Sequence, residues 1–289
     1  MKISGFTIVR NALKYDYPVE ESIRSILPVV DEMIVAVGNS DDQTLALVQS
    51  IDSEKIRIIE TIWDDSLREG GKVLAVETDK ALAACSPDSD WCFYIQADEV
   101  LHEKYHQILR DELLKYAGNS RIEGLLFHYV HFYGSYQYVG DSRTWYRQEI
   151  RIIRRNLAIR SYRDAQGFRI GDRKLKVKRI PVSMYHYGWV RSPFHQQEKQ
   201  KSFQKLWHSD NWVAENVSQA NEYDYSIIDS VAPFLGSHPM VMANRLKRLN
   251  WQFVFDPSKK KLKLKDRFLL WLERRFGIRL FEYRNFVEI

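Results

Sequence analysis

The residues able to do chemistry gather at the ends of short apolar runs. Trp91-Cys92-Phe93-Tyr94-Ile95 opens into Gln96-Ala97-Asp98-Glu99, and Phe6-Thr7-Ile8-Val9 opens into Arg10-Asn11. Met33 to Val37 leads to Gly38-Asn39-Ser40-Asp41-Asp42, and Ile56 to Ile59 is followed by Asp64-Asp65 and then Gly70-Gly71-Lys72. Acids, amides, a lysine and a helix start together suit a diphosphate. A carboxylate can hold a divalent cation on the phosphates, while a lysine and free backbone N–H groups take the remaining charge. Each residue also has a plainer role open to it. Asp98 could cap a helix beginning near Leu101, Asp41 and Asp42 are turn formers with Asp42 the better helix cap, Lys72 suits a solvated helix start, and Glu99 could only orient the loop.

The elements that must position these groups alternate in kind. Strand-like runs at Phe6–Val9, Met33–Val37, Ile56–Ile59 and Trp91–Ile95 are separated by helical patterns. These helices run from Pro18 through Val30, through Leu45, Val48 and Ile51, and over Lys72 to Ala84. Such alternation specifies a parallel sheet with right-handed crossovers. In open parallel sheets ligands bind beyond the carboxyl ends of the strands, where the polar residues above lie. Beyond Asp98 the pattern changes. A helix over His102–Tyr116 ends at Gly118, and β-type runs follow at Gly124–Tyr133, Glu149–Arg154 and Lys174–Tyr187. Another helix covers Phe194–Trp207, whereas Asn211–Ser237 shows no clear period.

Four segments resemble the GT-A fold glycosyltransferases of family 2. They are Arg10-Asn11-Ala12 after the first strand, Val30 through Thr44 with its Ser40-Asp41-Asp42-Gln43-Thr44 turn, Asp90 through Glu99, and Tyr185-His186-Tyr187-Gly188-Trp189-Val190. The resemblance covers roughly Lys2 to Arg191. It implies an α/β fold: a Rossmann-like, mostly parallel sheet with helices on both faces, an antiparallel addition and a helical C-terminal segment. Residues 1–191 would form the GT-A domain, with a donor-binding half at 1–100 and an acceptor half at 101–191. Residues 192–289 would be a helical, basic extension. By this resemblance Asp98 and His186 hold a divalent metal, Mn2+ or Mg2+, with one carboxylate and one imidazole favouring manganese. Arg10, Asn11, Asn39, Asp42, Lys72 and Gln96 would bind the donor. His186 also suits a packed histidine among aromatics. Two positions depart from the family pattern: Gly38 stands where an acid usually contacts the base or ribose, and Gln96 where the metal motif usually begins with Asp. Inverting transfer needs a base for the acceptor hydroxyl. Asp164 is the candidate and Asp141 the next, although Asp164 could equally pair with Arg163 or Arg160 on a surface loop.

Composition narrows the alternatives. With 45% hydrophobic and 13% aromatic residues in 289, the chain can bury a large core. Cys85 and Cys92 are the only cysteines, which suits reduced, buried thiols. The run Ile3–Val9 is too short and too polar for a signal peptide, and nothing reaches the length of a membrane span. A cytoplasmic enzyme is expected, at the inner face of a membrane if its tail docks there. From Arg245 to Ile289 there are 13 Lys+Arg against 5 Asp+Glu, a net of +8, which leaves −3 for residues 1–244. The lysine cluster Lys259–Lys265 and the apolar-basic Phe268–Phe276 carry this tail, whose pattern fits contact with an anionic membrane. A sugar-nucleotide nucleotidyltransferase would want a glycine-rich loop after the first strand, and Arg10-Asn11-Ala12-Leu13 lacks one. A non-enzymatic nucleic-acid or membrane module leaves the acids at the strand ends unexplained, and no nucleic-acid partner is expected. The expectation is therefore metal-dependent transfer of a sugar from a nucleotide-sugar donor to the hydroxyl of a glycan or lipid-linked acceptor, of the envelope or surface class.

Overall fold

A computed structural model describes residues 1–67, 69–256 and 260–289. Its first half follows the alternation in the sequence: β1 (Ile3–Val9), α1 (Val19–Ile26), β2 (Glu32–Gly38), α2 (Thr44–Gln49), β3 (Ile56–Thr61), α3 (Lys72–Ala84) and β4 (Trp91–Tyr94). The four strands lie in the order β3-β2-β1-β4 and are parallel throughout. Their side chains divide by the two-residue period of a strand. Val9, Met33, Val35, Val37, Trp91 and Phe93 join Val19, Ile23 and Ile26 of α1 on one face. Phe6, Ile8, Ile34, Ala36, Cys92 and Tyr94 meet Val73, Ala81 and Leu82 of α3 on the other. Burial on both faces explains why these strands read as continuous apolar runs. Cys85 and Cys92 are buried free thiols, as expected. Helix α1 stops at Ile26, short of Val30, because Pro28 has no N–H to continue the ladder.

The second half adds β5 (Glu99–Leu101), α4 (His106–Ala117), β6 (Gly124–Tyr133), β7 (Ser135–Gly140), β8 (Gln148–Arg154), β9 (Ile159–Tyr162), β10 (Gly167–Ile170) and β11 (Arg173–Trp189). β8 runs antiparallel between β4 and β6, and β6 lies parallel to β11. The sheet is thus parallel through β1 to β4 and mixed beyond them. The short β5 was not anticipated. It pairs antiparallel with β11, setting Glu99 opposite His186, and the helix begins only after a 3-10 turn at Glu103–Tyr105. Asp98 therefore enters a strand and caps no helix.

The remaining elements are α5 (Pro193–Phe203), α6 (Asp210–Asn216), β12 (Val231–Pro233), α7 (Ala243–Lys247), α8 (Leu264–Phe276) and β13 (Phe286–Glu288). Ser192 caps α5 by accepting from the His195 amide, with Pro193 in its first turn. This segment is less purely helical than its composition suggests, for β12 pairs with β7 and β13 with β11. Lys259 of the lysine cluster lies outside the described residues. Among the described residues, no helix is long and apolar enough to cross a membrane.

Candidate active site

A cleft of about 880 Å³ opens beyond the carboxyl ends of β1 and β4. Six of the expected residues line it: Arg10, Asn11, Gln96, Asp98, Asp164 and His186. Asn39, Asp42 and Lys72 do not, and the first two have structural work instead. Asn39 Oδ1 accepts from the Trp63 amide at 3.0 Å. Asp42 accepts from the Thr44 amide at 2.9 Å and the Lys14 amide at 2.8 Å, tying the β1 and β2 loops together. Lys72 is an exposed residue at the start of α3. Asn11 faces the cleft, but its Oδ1 accepts from the Asp41 amide at 2.9 Å and its backbone is left-handed at φ 56°. Asp141 is also outside the cleft, bridged to Lys260 at 3.1 Å and Arg274 at 3.5 Å.

The chemical centre is built where β4, β5 and β11 meet. The Asp98 carbonyl accepts from the Tyr187 amide at 2.8 Å, which fixes the loop against β11. Asp98 Oδ1 then lies 3.7 Å from His186 Nε2, while Oδ2 accepts from Lys199 Nζ of α5 at 3.3 Å. Burial alone would raise the Asp98 carboxyl, but Lys199, then His186 and Arg191, hold it at about 2. Lys199 behaves oppositely. Burial and the neighbouring Arg191 lower its ammonium from 10.5 to about 7, more than Asp98 offsets. Arg191 is fully buried, and it donates to the carbonyls of Tyr15 at 2.7 Å and Gly188 at 3.1 Å. One fixed guanidinium and one ammonium with a lowered pKa thus lie near a single carboxylate.

Glu99, beside Asp98, supports this centre from behind. It accepts from Arg151 Nη2 at 2.7 Å, from Tyr129 Oη at 2.5 Å and from the Gln96 amide at 3.1 Å. The buried pair therefore orients the loop that carries Gln96 and Asp98, as the plainer reading of Glu99 has it. On the other flank His186 pairs in register with His131 of β6, and their Nδ1 atoms lie 3.0 Å apart.

Toward the outer end of β2, Gly38 explains one departure from the family pattern. A Cβ there would lie 2.3 Å from Trp63 Nε1, so the indole fills the space beside Gly38 that a side chain would take. Trp63 lines the cleft, with the Arg10 guanidinium 5.6 Å from its ring and bonded to Asp65 at 2.7 Å. Asp164, also on the cleft lining, accepts from Gln166 at 2.9 Å, and among the described residues no ion pair joins it to Arg160 or Arg163. Burial raises the Asp164 carboxyl. Its neighbour Glu149 is pushed to about 8 by burial, with Arg151 opposing and the charges of Glu99 and Asp164 adding to the rise. Lys199, Arg191, His131 and Glu149 were not singled out from the sequence. Only His131 carried a signal, as a polar residue inside the apolar β6 run.

The centre fits a divalent cation. Two ligands each ~2.1 Å from one ion stand ~3 Å apart when adjacent and ~4 Å when opposite, which brackets the spacing of Asp98 Oδ1 and His186 Nε2. Gly188 keeps the same space clear, since a Cβ there would lie 2.6 Å from His186 Nε2 and 2.9 Å from Asp98 Oδ2. Among the described residues no cluster of three or more His, Cys, Asp or Glu could hold a metal, so a cation at Asp98 and His186 would need further ligands from substrate oxygens and water.

Fold and cleft together define an open α/β sheet protein with a cleft at the carboxyl ends of its strands. No family model matches the chain, and no curated protein matches it. Among solved structures it is similar to TarS of S. aureus at 16% identity, covering 76% of this chain and 41% of that one, with a TM-score of 0.40. It is also similar to 4-diphosphocytidyl-2C-methyl-D-erythritol synthase from Anaerococcus prevotii at 12% identity, covering 54% and 71%, with a TM-score of 0.36. A third is glucosyl-3-phosphoglycerate synthase from Mycobacterium tuberculosis in complex with Mn2+, UDP and phosphoglyceric acid, at 21% identity, 45% and 43% coverage and a TM-score of 0.31. The chain spans less than half the length of the first and third. At these scores none of them assigns an activity to this chain.

Proposed function

We propose that this chain is a glycosyltransferase that moves a sugar from a nucleotide-sugar donor to an acceptor hydroxyl with inversion, by direct displacement at the anomeric carbon. The observation that carries the reading is Asp98, a carboxylate held low by its neighbours in the turn after β4, 3.7 Å from His186 and 3.3 Å from Lys199 on the lining of the cleft. When bound between Asp98 and His186, Mn2+ or Mg2+ supplies positive charge against the leaving diphosphate. Arg191 adds fixed, buried cationic charge to the same region, and Lys199 adds a charge that burial and Arg191 make easier to lose. Arg10 and Trp63 offer the nucleoside a guanidinium and an aromatic face, and Gln96 a neutral amide toward the ribose. Trp145, Tyr146 and Trp189 give the cleft an aromatic surface for an acceptor sugar. Asp164 faces the cleft and takes the acceptor proton as the new bond forms. Calorimetric titration with UDP and UDP-sugars, with and without Mn2+, tests the reading. Saturable binding that Asp98→Ala abolishes supports it, and no binding by the folded wild type to any nucleotide sugar refutes it.

We further propose that α8 rests on an anionic membrane holding a lipid-linked acceptor. Leu269, Leu270 and Glu273 face inward, and Glu273 is bridged to Arg143 at 2.6 Å. Phe268, Trp271 and Phe276 stay more than half exposed, flanked by the exposed Lys263, Lys265, Arg267 and Arg275. Each base near an anionic leaflet contributes about 1 kcal/mol. The chain should co-sediment with anionic vesicles at low salt and release at high salt. A chain that stays in the supernatant at both salts shows the exposed face to have another use.

A further inference from the structure

We infer that His131 is a positioning residue, which fixes the His186 proton on Nδ1 and so presents the bare Nε2 lone pair to the space between His186 and Asp98. The inference rests on the reading that Asp98 and His186 hold the cation of a donor diphosphate. It begins at a backbone carbonyl. His131 Nε2 lies 2.7 Å from the Tyr146 oxygen, which can only accept, so Nε2 carries a proton. A neutral imidazole has one N–H, and His131 Nδ1 is then an acceptor. Its neighbour at 3.0 Å is His186 Nδ1, which must donate. That leaves His186 Nε2 without a proton.

The other arrangement needs protons on both nitrogens of His131. That would place an imidazolium, 3% exposed, between the rings of Tyr129 at 5.3 Å and Trp145 at 5.1 Å. Asp98 does not call for a proton on His186 Nε2, because 3.7 Å is too long for a hydrogen bond. Two electron-rich atoms therefore face each other across a gap that Gly188 keeps free. The strand register makes the relay rigid. His131 and His186 are direct partners across β6 and β11, and Glu99 of β5 flanks His186 on its other side. Supporting partners of this kind set the tautomer and basicity of a ligating imidazole.

The test combines nitrogen NMR on histidine-labelled protein with Mn2+ titration in the presence of UDP. The wild type should show His186, assigned by loss of its signal in His186→Ala, protonated at Nδ1 and bare at Nε2. His131→Phe keeps an aromatic ring in the stack but loses the acceptor, and Mn2+ affinity should fall about 10- to 100-fold. His131→Asn replaces the acceptor, and its affinity should stay within about threefold of the wild type while His186 keeps its tautomer. An Nε2–H resonance for His186 in the wild type overturns the inference, as does equal Mn2+ affinity in the Phe and Asn variants. If His131→Phe fails to fold, the wild-type spectrum and the Asn variant still decide. A wild type that binds no nucleotide but shows the Nδ1–H form would sink the functional reading and leave the relay standing.

Discussion

Lys199 donates to Asp98 Oδ2 at 3.3 Å across 101 residues of chain, so the charge of the site is set by a helix outside the parallel sheet. The ammonium holds the oxygen next to the one that faces His186, and it competes with any cation that arrives alone. Lys199→Met should therefore tighten Mn2+ binding in the absence of nucleotide. It should also cut turnover about 10²- to 10³-fold, as expected for a lost preorganised electrostatic contact. Calorimetry with Mn2+ alone and steady-state kinetics check the two halves; unchanged values in both would show that Lys199 only packs.

Gly188 gives a steric test of the same centre. Gly188→Ala introduces a methyl 2.6 Å from His186 Nε2 and 2.9 Å from Asp98 Oδ2. Cation affinity in the presence of UDP should drop at least tenfold. The His186 ring must shift to admit the methyl, so the apo protein should lose some melting temperature as well. A melting curve and a Mn2+ titration on one sample separate the effects.

Glu149 predicts a pH dependence. Its carboxyl titrates near 8 in the folded chain against an ordinary 4.5. Between those values the unfolded glutamate has lost its proton and the folded one keeps it, so stability falls as pH rises through this window. Glu149→Gln mimics the protonated form and removes that loss. Urea unfolding at pH 5 and pH 8 should show the variant gaining on the wild type at the higher pH; a constant difference would mean an ordinary glutamate.

Asp164→Asn distinguishes a base from a donor contact. Turnover in sugar transfer should fall about 10²- to 10⁴-fold with little change in donor affinity, because the lost group acts only as the acceptor proton moves. A variant with near-normal transfer would move the role to another cleft carboxylate, of which Glu149 is the nearest candidate by charge coupling.

Much of the fold was legible because burial on both faces leaves an unmistakable apolar run. That is how Trp91–Ile95 announced β4 and, one loop later, Asp98. The polar residues after β2 were harder to sort. Asn39 and Asp42 are of the types that bind ligands, yet the same types satisfy backbone amides in turns, and Asp42 does so for Thr44 and Lys14. Lys199 was hidden for another reason. Helix α5 carries Lys199 and Lys201 in one polar stretch, and only the docking of the helix selects which lysine turns inward. The β5 strand was too short to show a period. Without it neither the register that sets Glu99 beside His186 nor the entry of Asp98 into a strand is visible.

The pairing of β13 with β11 has a consequence for the shape of the cleft. Arg279, Phe281, Tyr283 and Asn285 form part of its wall, and β13, directly after them, is held to β11 by three register pairs, Phe286 with Leu175, Val287 with Lys176 and Glu288 with Val177. One side of the cleft is thus anchored by a three-residue ribbon, whereas Asp98 is tied to Tyr187 further along the same β11. A single strand thereby carries both the carboxylate's support and the anchor of the wall, so a shift of β11 would move the two together.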